Sequence, residues 1–154
     1  MQQRTHSETI LVQASPHEVY DVVSDIRRTG EWSPTCVRCE WEDPDHTGEG
    51  AKFTGYNETA ERSWQTTSTV VAAEPGHRWA WEVGDGFVRW AYDIVAVTDG
   101  TEVTETWMFL KAGLEHFRGR FGDHAGEEID VRSERAYRDI PATLKTVRQI
   151  VEAP

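Results

Sequence analysis

The sequence predicts an α+β fold in which a seven-stranded antiparallel sheet curves around one long C-terminal helix. Runs of alternating apolar and polar residues, separated by turns that contain Gly or Pro, occupy most of residues 36–110. A similar run precedes them at residues 5–14, and apolar positions recur at helical spacing from about residue 126. Because the single long helix has to cover the apolar face of the sheet, we expect the two to pack together. The curvature of the sheet then leaves space between them.

The segment after the first strand predicts two short helices. Ser15 can cap the first helix, Pro16 suits its first turn, and Glu18 completes a capping box. Ser24-Asp25 begins the second helix, which is expected to end between residues 30 and 34, at a Gly and a Pro.

Turn chemistry divides the next region into strands. Pro75-Gly76 favours a type II turn. Asp85-Gly86 and Asp99-Gly100 favour two-residue hairpin turns. The predicted strands are residues 36–42, 51–58, 62–73, 78–83, 87–97 and 101–110.

The C-terminal region predicts a loop followed by the long helix. Residues 111–124 are rich in glycine and irregular in apolar spacing, so we expect a loop with a short helical turn. Pro141 lies inside the helix and is expected to kink or restart it. The buried face of the helix is predicted to carry Ile129, Ser133, Ala136, Ile140, Leu144, Val147 and Val151.

The three turns also predict which side chains face the helix, because register decides the face on which each side chain lies. Two-residue loops would pair Ala72 with Trp79 across the first turn, Trp81 with Trp90 across the second, and Tyr92 with Trp107 across the third. The inner face is then predicted to carry Trp64, Thr66, Ser68, Val70, Ala72, Trp79, Trp81, Val83, Val88, Trp90, Tyr92, Ile94, Ala96, Val103, Glu105, Trp107 and Phe109. On the earlier strands we expect the inward residues to be Val37, Cys39, Trp41, Phe53, Gly55 and Asn57.

Glu105 is expected on this inner face, among Ile94, Tyr92 and Trp107. A carboxylate buried among apolar side chains is costly unless it is paired or protonated. No Arg or Lys is expected to point inward from these strands, whereas Tyr92 and Asn57 can donate hydrogen bonds. Glu105 is therefore a polar group in a water- or ligand-filled pocket, or a buried acid with a raised pKa, unless a bulge turns it to solvent.

The charge of the chain argues against two classes of function. Its 154 residues contain 16 Lys plus Arg and 27 Asp plus Glu, a formal net charge of −11. Such a surface repels phosphate backbones and anionic lipids, so we expect neither nucleic-acid binding nor membrane insertion. No apolar run is long enough to span a bilayer, and the N-terminal residues lack the apolar core of a secretory signal. We expect one cytoplasmic domain over residues 1–154, and edge strands leave open whether it is a monomer or a homodimer.

Cys36 and Cys39 form a CxxC motif, which is found in redox sites and in halves of zinc sites. On a strand, however, three residues span about 10 Å, more than the roughly 7 Å Cα separation that a disulfide tolerates. The chain has no other cysteine to complete a zinc site. We therefore expect two structural thiols.

Two histidines, His116 and His124, precede the long helix together with Glu115 and Asp123. Their spacing matches no familiar metal-binding pattern. We expect no metal and no cofactor.

Four stretches resemble the START-like superfamily, the helix-grip proteins that include Bet v 1-type pollen allergens. Within it they are similar to the bacterial polyketide cyclase/dehydrase and lipid-transport group, also called SRPBCC proteins. The stretches are ILVQASPHEVYDVVSDIRRTGEWSPTCVRCEW, GAKFTGYN, TTSTVVAAEPGHRWAWEV and GTEVTETW. The resemblance implies the fold but no particular reaction, since members include cyclases, lipid and sterol carriers and ubiquinone-binding proteins. It also implies that Trp32 lies near the mouth of a pocket, as a lid residue or as part of the core.

Seven tryptophans in this chain suggest either a bulky core or a flat-walled pocket. We expect a pocket between the sheet and the long helix that binds a hydrophobic or aromatic small molecule, lipid- or polyketide-like. The alternative is a polyketide cyclase/dehydratase-type enzyme in which Glu105 and Tyr92 transfer protons. The predicted ligand-binding residues are Trp32, Phe53, Asn57, Trp64, Ser68, Trp79, Trp81, Trp90, Tyr92, Glu105, Trp107, Ile140 and Leu144.

Overall fold

The computed structural model describes residues 4–154 and has the predicted helix-grip α+β architecture. Within these residues the strands form one antiparallel sheet in the order β1-β7-β6-β5-β4-β3-β2. The strands are β1 (Arg4–Val12), β2 (Cys36–Trp41), β3 (Lys52–Glu58), β4 (Ser63–Glu74), β5 (Arg78–Val83), β6 (Val88–Val97) and β7 (Gly100–Phe109). The helices are α1 (Pro16–Val23), α2 (Lys111–Phe121) and α3 (Ala125–Glu152), with short 3-10 helices at Ile26–Glu31 and Gly122–His124.

The predicted capping box begins α1. The Ser15 hydroxyl accepts a hydrogen bond from the Glu18 backbone N–H at 3.2 Å, and the Glu18 carboxylate accepts one from the Ser15 N–H at the same distance. The second predicted helix is the 3-10 helix Ile26–Glu31. It packs so closely on β2 that a methyl group at Gly30 would collide with the carbonyl of Val37.

A β-bulge in β4 corrects the predicted register of the first turn. Val70 pairs with Trp81 as expected, but the register shifts between Val70 and Ala72, so Trp79 pairs with Ala73. Ala73 therefore faces inward, and the inward placement of Ala72 was wrong. The two-residue turn rule misses this because a bulge adds one unpaired residue to one strand.

A second bulge, in β2, changes the predicted face of Val37. The register shifts between Cys36 and Arg38. Val37 is turned outward and is 45 % exposed, whereas Cys39 is buried. The inward prediction is therefore right for Cys39 and wrong for Val37.

The second turn has the predicted register, with Trp81 opposite Trp90. At the third turn the prediction was wrong by two residues, since Tyr92 pairs with Glu105. Gly100 already pairs with Val97, which leaves residues 98–99 as the turn. A shift of two residues keeps every side chain on its face. The predicted inward residues of β6 and β7 are therefore buried or half-buried, except Ala96, which is exposed near the turn.

The predicted loop at 111–124 is instead α2 followed by a 3-10 helix. Phe117 packs its ring on Phe109 at 5.0 Å and on Phe121 at 5.2 Å. The side chains of Leu114 and Phe117 are buried. This burial outweighs the low helix propensity of the glycines that made the segment look irregular.

Helix α3 runs unbroken through Pro141, so the predicted restart does not occur. The predicted stripe is buried except at Val151, which is half-buried. The helix packs closely on β1, β7, α1 and α2, and strands β3 to β6 stay farther from its axis. Among residues 4–154 no helix combines the length and apolar character needed to cross a bilayer.

Candidate ligand-binding site

Rows of paired side chains cross the inner face of the sheet. Across the strands the rows read Phe53-Ser68-Val83-Val88-Phe109, then Val70-Trp81-Trp90-Trp107, then Ala73-Trp79-Tyr92-Glu105-Glu8. The indoles of Trp81 and Trp90 stack with centroids 6.4 Å apart and planes 16° from parallel. The structure thus brings together the predicted strand residues Phe53, Ser68, Trp79, Trp81, Trp90, Tyr92, Glu105 and Trp107.

The predicted residues outside the sheet cover this face from the other side. Ile140 and Leu144 on α3 are both buried. Trp32, at the end of the first 3-10 helix, is 6 % exposed, and its carbonyl accepts a hydrogen bond from the Thr143 hydroxyl at 3.3 Å. This hydrogen bond attaches the end of the first 3-10 helix to α3.

Asn57 and Trp64 lie at one end of the β3-β4 hairpin, where they line an open cavity of about 180 Å³. The Asn57 amide donates to the Thr66 hydroxyl at 3.4 Å. Of the two donors that the sequence offered for Glu105, Asn57 therefore has its partner elsewhere. The guanidinium groups of Arg62 and Arg135 lie over the indole of Trp64, at 4.3 and 5.4 Å from its centroid. These two predicted residues therefore belong to a more polar end of the site.

A larger cleft of about 460 Å³ opens at the other end of the same hairpin. Its walls include Trp41 and Trp79 from the inner face, Tyr20 from α1, and the carboxylates Asp21 and Asp25. The indole N–H of Trp79 is buried and has no hydrogen-bond partner within the described residues. Two rings of the inner face therefore border this cleft, although that of Trp79 is almost fully buried.

Glu105 is buried on the inner face, only 4 % exposed, so no bulge turns it to solvent. Its Oε1 atom has no hydrogen-bond partner within residues 4–154. Burial raises the pKa of Glu105 to about 8, opposed by a hydrogen bond from Tyr92 and reinforced by the charges of Asp139 and Glu8. At neutral pH the group is therefore mainly a neutral carboxylic acid.

Tyr92 pairs with Glu105 across the strands and lies near Trp32. Burial raises the pKa of the Tyr92 hydroxyl well above its usual value, and the neighbouring charge of Glu105 adds to this effect. A hydrogen bond from Trp32 opposes the rise. The phenol therefore stays protonated between the indole and the carboxyl group. Together these groups place one acid and one phenol at the end of an otherwise aromatic surface.

Sequence reasoning missed the polar residues that α3 and β1 add to the site. Asp139 accepts a hydrogen bond from the Thr35 hydroxyl at 3.1 Å, and Glu8 pairs directly with Glu105 across the sheet. Arg135 is half-buried on α3, so an arginine does reach the site, although no strand supplies it. Positions 135 and 139 are four residues apart beside the apolar stripe, and that spacing was the available signal.

The histidines before α3 do not come together. His116 stacks on Phe87 with ring centroids 4.3 Å apart, whereas His124 contacts Glu127 at 3.5 Å. The part of the chain that the structure describes holds no group of three or more His, Cys, Asp or Glu side chains placed to bind a metal ion.

The curved sheet, the long helix and the inward aromatic rows define a helix-grip protein. The chain belongs to the family described as polyketide cyclase / dehydrase and lipid transport, whose model matches residues 3–148. The resemblance found in the sequence is thereby confirmed. No curated protein matches the chain.

Solved structures with the same fold include both close and distant relatives. The Polyketide_cyc-like protein Cgl2372 from Corynebacterium glutamicum is 42 % identical, with a TM-score of 0.73 over 98 % of this chain and 93 % of that one. The Zhui aromatase/cyclase from Streptomyces sp. R1128 is 19 % identical, with a TM-score of 0.74 over 98 % and 94 % of the two chains. The di-domain ARO/CYC BexL, from the BE-7585A biosynthetic pathway, is 17 % identical, with a TM-score of 0.74 over 99 % of this chain and 51 % of that one. At these lower identities the likeness concerns the fold alone.

Proposed function

We propose that this protein binds a hydrophobic or aromatic small molecule, lipid- or polyketide-like, between the sheet and α3. The observation that carries the proposal is the Glu105 carboxyl group, buried among aromatic side chains with Oε1 unpaired within the described residues. Leaving such an atom unpaired costs about 1–3 kcal/mol. A ligand with a hydroxyl or carbonyl group at one end would recover this energy, and its apolar body would lie on the aromatic rows.

The separation between α3 and the middle strands of the sheet supports a ligand at this position. Trp81 and Trp90 point inward from the middle strands and yet are only half-buried. They lie on β5 and β6, which are among the strands that stay farther from α3. Their rings are therefore available to an apolar ligand, with Trp32, Ile140 and Leu144 on the opposite side.

We further propose that residues 1–154 act as one ligand-binding domain. Residues 1–3 lie outside the described part of the chain. The cytoplasmic location, the lack of nucleic-acid binding and the choice between monomer and homodimer stay predictions.

A cyclase or dehydratase activity is the second candidate, and the pKa of Glu105 favours it. A carboxylic acid whose pKa is about 8 holds its proton at neutral pH. It can then donate that proton to a ketone oxygen that gains charge as a carbon–carbon bond forms, while Tyr92 hydrogen-bonds the resulting carboxylate. The aromatase/cyclase from Streptomyces sp. R1128 shares this fold, which makes polyketones reasonable substrates to test.

Ligand titration followed by tryptophan fluorescence tests both candidates. The panel contains fatty acids, sterols, flavonoids, anthraquinones and a linear polyketone, on which turnover is also measured, and the variants are Glu105→Gln, Glu105→Leu and the control Glu102→Gln. Glu102 is an exposed glutamate of the same strand on the outer face. We expect Glu105→Leu to weaken binding of a ligand with a polar end about tenfold, or about 1.4 kcal/mol.

Glu105→Gln separates the two candidates, because an amide still hydrogen-bonds but does not transfer the proton. A carrier keeps its affinity in this variant and shows no turnover in the wild type. An enzyme keeps its affinity and loses turnover. If no member of the panel changes the tryptophan emission of the wild type, both candidates are wrong.

A further inference from the structure

Cys36 and Cys39 lie in contact, although strand geometry predicts that they are far apart. Their sulfur atoms are 3.4 Å from each other. The β2 bulge explains the difference, because the register shifts between Cys36 and Arg38 and Val37 is turned outward. Both thiols therefore lie on the same side of the strand. The premise that strand geometry keeps them too far apart to react was wrong, and the expectation of structural thiols stays a prediction.

The two thiols differ in chemistry. Cys36 is half-buried and Cys39 is 6 % exposed. The hydrogen bond from the Cys39 thiol is the main cause that lowers the pKa of Cys36, and interactions with the backbone of Arg38 and Tyr56 add to it, although burial opposes this. The shared hydrogen bond with Cys36, and then burial, raise the pKa of Cys39. Cys36 is therefore the more exposed and more readily ionised thiol, and Cys39 is the buried, protonated thiol in contact with it.

We propose that Cys36 and Cys39 form a reversible disulfide and act as a two-electron redox site that reacts with hydroperoxides. The Cys36 thiolate attacks the peroxide, the O–O bond breaks, and Cys36 becomes a sulfenic acid while an alkoxide or hydroxide leaves and takes up a proton. The Cys39 thiol then attacks the sulfenic sulfur, and its proton leaves with the hydroxyl group as water. Two thiols and one hydroperoxide thus give one disulfide, one water and one alcohol or second water, and an added dithiol returns both cysteines to thiols.

Formation of this disulfide requires movement only around the two cysteines. The sulfurs move from contact distance to about 2 Å when the bond forms. Gly55 lies opposite Cys39 in β3, and a Cβ atom placed at that glycine would lie in ordinary contact with the Cys36 sulfur, at 3.6 Å. On the other side of β2, Gly30 of the first 3-10 helix packs on the Val37 carbonyl. The disulfide would therefore hold the bulge on which this helix rests, and the inference does not depend on the identity of any ligand.

The test counts thiols before and after oxidation in the full chain, which contains only these two cysteines. Reduced protein is treated with hydrogen peroxide, then denatured, alkylated with iodoacetamide and weighed by mass spectrometry. We expect the oxidised protein to lose two hydrogen atoms, to take up no alkyl group and to remain a single chain on a non-reducing gel. Dithiothreitol should restore both alkylation sites.

Single variants assign the two roles. In Cys39→Ser, oxidation should stop at the Cys36 sulfenic acid, which dimedone captures. In Cys36→Ser, the remaining Cys39 thiol should react with peroxide at a rate at least about tenfold lower than that of Cys36. Circular dichroism reports whether each variant is folded, and the wild-type measurement decides alone if one is not. The proposal is overturned if the folded wild type keeps two alkylatable thiols after peroxide, or if it forms sulfonic acids or disulfides between chains.

Discussion

Replacing Glu105 by glutamine should change how the stability of the protein depends on pH. The acid has a pKa of about 8 in the folded state against an ordinary value of 4.5, chiefly because it is buried. Below pH 4.5 both the folded and the unfolded chain carry the proton, so the group contributes no pH dependence there. Between these values the unfolded chain releases the proton and the folded chain retains it, so the free energy of unfolding falls as pH rises.

The magnitude follows from the two pKa values. Each pH unit between about 4.5 and 8 costs about 1.4 kcal/mol, which amounts to about 3 kcal/mol at pH 7 and about 5 kcal/mol at pH 8 and above. Glutamine cannot ionise, so the Glu105→Gln variant lacks this slope. Its stability relative to the wild type should therefore rise steadily from pH 5 to pH 8, whatever constant offset the amide introduces.

Urea unfolding at several pH values, followed by tryptophan fluorescence, measures the difference directly. The comparison between the two proteins removes the titration of every shared group that does not interact with residue 105. Glu102→Gln is the matched control, since this exposed glutamate of β7 should show no such slope. Parallel stability curves for Glu105→Gln and the wild type between pH 5 and pH 8 would refute the raised pKa and the neutral acid on which the proposed site depends.

The remaining predictions concern the elements that frame the site, each measured as the free energy of unfolding. Ser15→Ala removes the cap of α1 and should cost about 1 kcal/mol, so an unchanged value would contradict the capping box. A methyl group at Gly113 would collide with the Phe87 carbonyl, whereas Gly119 faces open space. Gly113→Ala should therefore destabilise α2, and Gly119→Ala should stabilise it by up to about 1 kcal/mol. Equal effects of the two substitutions would argue against this packing. Ile140→Ala should cost about 2–5 kcal/mol, against less than about 0.5 kcal/mol for the exposed control Val131→Ala on the same helix; a small loss at Ile140 would mean that its side chain does not pack on the sheet.

Local chemistry in the sequence predicts much of the fold. The Ser15 and Glu18 pair begins α1 because its hydrogen bonds join residues three apart, and no distant part of the chain takes part. The same holds for the turn that pairs Trp81 with Trp90. The α2 segment was missed because its apolar spacing is irregular, and its burial includes the packing of Phe117 on Phe109 at the end of β7.

The candidate site likewise contains residues that the sequence predicts and residues that only the packing of α3 brings in. Alternation along β6 and β7 predicts that Tyr92 and Glu105 point inward, and the two-residue error at the third turn leaves that result unchanged. Asp139 and Arg135 approach the same region only because α3 crosses it, so sequence periodicity within the strands says nothing about them. The pKa of Glu105 depends on both kinds of neighbour and on burial.

The sequence by itself determined the α+β architecture, the inward tryptophans and the buried stripe of α3, since these follow from periodicities and turns that act over a few residues. Only the tertiary structure decided where the strands bulge, and with that whether Ala73, Val37 and Cys36 face the interior. A bulge adds one residue to one strand of a pair, so its position depends on the neighbouring strand and not on the alternation within its own strand. For that reason the contact between Cys36 and Cys39 follows from the folded structure and not from the sequence pattern.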